Sequence, residues 1–153
     1  MSKNRKLLDI IATCDDEKKL QNWISNANRE GAEEIEDAAR RRRIEVRAAK
    51  DIDDPNDPVV QDFWKSITAL ENELSEERRK TIRLSRTRQK IARVGVEKTL
   101  ADLALQAQPS DGYRLLKATG MLDLSAEAVV LRYPKRFTQK VLVAARLRLK
   151  PEE

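Results

Sequence analysis

Half of the residues from 78 to 93, RRKTIRLSRTRQKIAR, are Lys or Arg, and none is acidic. The chemistry such a run offers is electrostatic. Concentrated cations create a field that attracts polyanions whatever the fold beneath, and their contact with a polyphosphate releases condensed counterions. Arg86, Lys90 and Arg93 fall at i, i+4 and i+7 and share one helix face, with Arg79 and Arg83 on the approach and Arg88 inside the same run. No aromatic residue is interleaved. Base stacking is therefore not the mode of contact, which favours duplex backbone over single strands.

Two further basic groups stand apart from this tract. Arg40, Arg41, Arg42 and Arg43 are consecutive and splay over every side of a helix, while Glu33, Glu34, Glu36 and Asp37 one turn earlier offer partners at helical spacing. Arg132, Lys135 and Arg136 cluster around Pro134. The segment SRTRQKIARVGVEKTLADLALQ has the outline of a helix-turn-helix. A helix from Ser85 to Val94 would pivot at Gly95 into a second from Glu97 to Gln106, with Glu97, Lys98 and Thr99 placed to meet base edges. Ile91 is bulky for that motif four residues before the glycine.

Other chemistries are excluded by composition. The chain has no histidine and one cysteine, Cys14. A Ser-His or Cys-His nucleophile has no base, and a four-ligand zinc site lacks ligands. The acidic loop DIDDPNDP sets Asp51, Asp53, Asp57 and Asp62 at calcium-loop positions, but Asn56 stands where the turn needs glycine and no Glu closes the loop. No metal, no cofactor and no catalytic residue is expected, and the chain reads as a non-enzyme. Cys14 reads as a packing residue. No apolar run reaches the ~20 residues that span a bilayer. The stretch from Leu7 to Ile11 is too short for a signal peptide, so a cytoplasmic protein without membrane contact is expected.

The elements that must carry the cations are helical. Charged residues make up 37% and aromatics 4% of the chain, with four glycines, a composition that favours helices over strands. The predicted fold is all-α, with an N-terminal helical lobe over 1–50, an acidic loop over 51–57, and a central helix leading into a bundle of short helices over 58–153. Asp57 caps and Pro58 opens the central helix, whose stripe of Val60, Phe63, Trp64, Ile67, Leu70 and Leu74 is continuous. A break near 80–84, extended over 82–84, precedes a helix capped by Ser85. Further helices are expected to open at Thr99 (with Asp102 in a capping box), at Ser110 or Asp111, at Ser125 and at Thr138.

The block 51–77 is net −8 and the block 78–98 net +8. A helical hairpin could satisfy both internally, and this is the bland alternative to an outward basic surface. The functional expectation is a protein that grips duplex DNA through Arg79, Arg83, Arg86, Arg88, Lys90, Arg93 and Lys98, aided by Arg40 to Arg43. The competing expectation is an interaction module for an acidic protein partner, or for a second copy of this chain joined through the central helix.

Overall fold

The computed structural model describes residues 2–150, which fold as helices and turns with no strand among them, the all-α class expected from the composition. The chain forms two compact units, Met1–Asp51 and Ile52–Glu153.

The first unit holds α1 (Ser2–Ala12), α2 (Glu17–Glu30) and α3 (Glu33–Ala49). The Asp16 carboxylate accepts the Lys18 and Lys19 amides at 3.0 and 3.2 Å, and Gly31 ends α2 at φ +72°, a conformation that favours glycine. The core is Ile11, Leu20, Ile24, Ala27, Ile35 and Ala39, with Cys14 packed against it.

The second unit is built on α4 (Pro58–Arg78), followed by α5 (Ser85–Val94), α6 (Val96–Leu105), α7 (Asp111–Ala118), α8 (Ala126–Arg132) and α9 (Gln139–Leu149). Asp57 caps α4 by accepting the Val59 amide at 3.0 Å, and Pro58 takes the first helical position. α4 packs against α6, α7 and α8, and α8 against α6 and α9. Phe63, Trp64, Ile67 and Leu74 of the central stripe are buried in the single chain. Burying Phe63 alone contributes about 2–3 kcal/mol. Most of the stripe is core, with Val60 and Leu70 half-buried. Ser110, Ser125 and Thr138 cap α7, α8 and α9 as expected.

Two expected helix starts are corrected. α6 begins at Val96, directly after Gly95. Thr99 lies in its first turn, buried, with its hydroxyl donating to the Gly95 carbonyl at 2.8 Å. Asp102 closes no capping box, because Lys90 and Lys98 take its carboxylate. Ser85 is the first residue of α5 and not its cap, a position Leu84 occupies without a side-chain bond. Residues 81–84 are irregular, not a strand.

Candidate polyanion-binding surface

Glu71 and Ser75 stand one turn apart on the same side of α4. The chain leaves α4 through Arg79, whose backbone is left-handed at φ +53°, and returns alongside them. Ser75 Oγ accepts the Ile82 amide at 2.8 Å, and Glu71 Oε2 accepts the Leu84 amide at 2.7 Å. Ile82 and Leu84 are two residues apart in irregular backbone, and both turn their N–H groups to one helix face. A turn later Arg88 donates Nε to Glu71 Oε2 at 2.8 Å and Nη2 to Oε1 at 2.7 Å. Its guanidinium lies 5.2 Å from the Trp64 ring centroid, a cation–π distance. One buried carboxylate thus gathers three donors and fixes where α5 starts. Nothing local in the sequence marks Glu71 or Ser75 for this role. The only signal is that an acidic block precedes a basic one.

The frame divides the tract in two. Arg78 meets Asp111 at 3.4 Å, Arg88 lies half-buried on Glu71, and Lys90 reaches Asp102 at 2.5 Å. Lys98 joins the same Asp102 at 3.1 Å. The two lysines hold the Asp102 carboxyl below its ordinary range, Lys90 more than Lys98. Arg79, Arg83, Arg86 and Arg93 are exposed, and their side chains make no hydrogen bond or ion pair among the described residues. Lys80, not among the residues expected from sequence, belongs with them. Among the described residues, Arg88 is the one cation of the tract whose side chain pairs with a carboxylate of the acidic block 51–77. The internal hairpin of charges is therefore one ion pair deep, and five cations face solvent. On α5, Arg86 and Arg93 are seven residues apart and share a side.

The other basic groups are largely occupied. In the first unit Arg40 lies on Glu36 at 2.9 Å, and Arg41 on Asp37 at 3.0 Å. Arg42 is held by Asp15, Glu45 and the Cys14 carbonyl, and Arg43 is buried and donates to Gln21. All four arginines that read as a patch are engaged within the chain, because acids at i−4, Asp15, Glu45 and the Gln21 amide of α2 face them. In the second unit Arg132 pairs with Asp62 at 2.8 Å, and Arg136 forms a bidentate pair with Asp57 at 3.0 Å and a further pair with Glu97. The Asp57–Arg136 pair keeps the Asp57 carboxyl low and the Arg136 guanidinium charged. Asp57 and Asp62, two of the calcium-loop candidates, are thus tied to arginines. Lys135 is exposed.

The helix-turn-helix outline is not realised. α5 and α6 are joined through Gly95 alone, at φ +90°, where that motif has a turn of three or four residues. The residues meant for base edges are engaged elsewhere. Glu97 binds Arg136, Lys98 binds Asp102 and Thr99 is buried. α6 also carries Leu100 and Ala104 into the core. What remains of the outline is an exposed basic surface on α5 and the segment before it.

No helix among the described residues is long and apolar enough to cross a membrane. No protein-family model, curated protein or solved structure matches the chain.

Proposed function

We propose that this chain is a non-enzymatic nucleic-acid-binding protein that grips the backbone of duplex DNA through Arg79, Lys80, Arg83, Arg86 and Arg93. The observation that carries the reading is the division of the tract. Arg78, Arg88 and Lys90 are held on carboxylates, whereas Arg79, Lys80, Arg83, Arg86 and Arg93 are exposed with no acidic partner among the described residues. A cation with no intramolecular partner has no ion pair to break when it meets a phosphate. Arg79 adds support. It keeps a charged side chain at a left-handed helix end, where a non-glycine residue costs about 1–2 kcal/mol.

Binding of this kind is insensitive to base sequence, because backbone contacts position a protein without specifying bases. The absence of aromatics among these five residues favours duplex over single strand. An electrophoretic shift at low salt with an arbitrary duplex tests the reading. Retardation that is lost on replacing Arg83 and Arg86 by alanine is expected, and no retardation at all overturns it.

A further inference from the structure

Beside the five cations, and wholly within the second unit, a groove of about 440 Å³ opens between α4, the 79–84 segment, the first turn of α5 and the start of α7. Its floor is aliphatic: Ile67, Leu70, Leu74, Ile82, Leu84 and Leu103. Its rim is basic, formed by Arg78, Arg83 and Arg86. The one acidic residue on it, Asp111, already faces Arg78. Gly112 makes the groove's α7 wall close against α4, because a Cβ there would collide with Leu70 Cδ2.

We propose that this groove receives an acidic amphipathic helix of a partner protein, with apolar side chains at i, i+3 or i+4 seated on the floor and carboxylates meeting Arg83 and Arg86. Such a helix is complementary to the groove in two ways at once. A nucleic-acid backbone would satisfy the rim but bring nothing apolar to the floor, and the floor has no aromatic ring on which a base could stack. A purely apolar occupant would leave two unpaired guanidinium groups at its edge. A helix with one apolar face and flanking acids matches both, the usual logic of helix-in-groove recognition. The inference stands apart from the DNA reading, although Arg83 and Arg86 belong to both surfaces. Peptide and duplex would compete for them, and Arg93 does not line the groove.

The test uses the full chain and a fluorescein-labelled helical peptide of about four turns, with Leu at the i, i+3, i+4, i+7 positions and Glu elsewhere. A control peptide of equal charge replaces each Leu by Ser. Fluorescence anisotropy should show saturable binding of the Leu/Glu peptide and about tenfold weaker binding of the Ser/Glu control. Ser85→Trp fills the mouth from an exposed residue whose side chain makes no bond. It should weaken the peptide about tenfold and leave helicity and duplex binding unchanged. Arg83→Glu with Arg86→Glu should weaken peptide and duplex together, and Arg93→Ala the duplex alone. Equal binding of both peptides overturns the proposal, since charge alone would then explain it. So does full peptide affinity in Ser85→Trp, or loss of duplex binding in that variant, which would give the groove to nucleic acid. A concentration-dependent dimer broken by Ser85→Trp would assign the groove to a second copy and also overturn it.

Discussion

Arg79 is where backbone and side chain pull in different directions. Its φ of +53° suits glycine, and its guanidinium belongs to the exposed set. Arg79→Gly should therefore raise the unfolding free energy by up to about 1 kcal/mol, the relief of left-handed strain being offset in part by a more flexible unfolded chain. The same variant should weaken duplex binding. Urea melts and a shift assay on one preparation check both halves, and a variant that loses stability would contradict the backbone argument. Gly95 is the counterpart. At φ +90° and ψ 169° it holds a conformation nearly closed to other residues, so Gly95→Ala should lower the unfolding free energy by about 1–3 kcal/mol. Both positions are punctuation in the sequence, a charge run and a lone glycine. That Gly95 ends a helix was legible. That no turn follows it was not, because a one-residue connection depends on how α6 packs.

At the scale of the element, α5 is the exception among the helices. It buries no residue, and ten residues are too few for a stable isolated helix in water. Its start is set by Glu71, so Arg88→Ala should cost about 3 kcal/mol by leaving a buried carboxylate with one donor in place of three. The loss should be local. Amide exchange in 84–94 should accelerate well beyond that in α8, and equal protection of both segments would show that α5 is held by something else. The helices themselves were readable from caps and periodicity: Asp57, Ser110, Ser125 and Thr138 all sit where their side chains bond the first-turn amides. The starts expected at Ser85 and Thr99 were misplaced. Each has the right residue type for a cap, but the Leu84–Glu71 contact fixes where α5 starts and α6 starts earlier, directly after Gly95. The candidate site was half legible for a similar reason. Charge density located it, but which cations of the tract are occupied depends on Glu71, Asp102 and Asp111, which lie 17, 12 and 33 residues from Arg88, Lys90 and Arg78. No local pattern records such pairings.

Across the whole molecule, charge is segregated, and pH and salt should both expose it. Asp57 and Asp102 have carboxyl pKa values lowered from 3.8, by Arg136 and by Lys90 with Lys98. The unfolded chain takes up these protons first as pH falls. Their stabilisation is therefore complete above about 3.8 and lost as pH drops through the folded values. Burial pushes Glu127 the other way, above 4.5, despite the Arg148 guanidinium at 2.9 Å. Its contribution favours the fold at low pH and is lost as pH rises through its folded value. Asp102→Asn should accordingly reduce stability at neutral pH and flatten the fall below pH 4, as read from urea midpoints across that range. The central claim concerns the exposed cations, and its most direct measurement is the salt dependence of duplex binding by fluorescence anisotropy between about 50 and 200 mM NaCl. Five phosphate contacts predict a slope of log K against log salt of about −4.5, falling by about 2 in magnitude when Arg83 and Arg86 become alanine. A slope near zero, or one unchanged in that double variant, would contradict it.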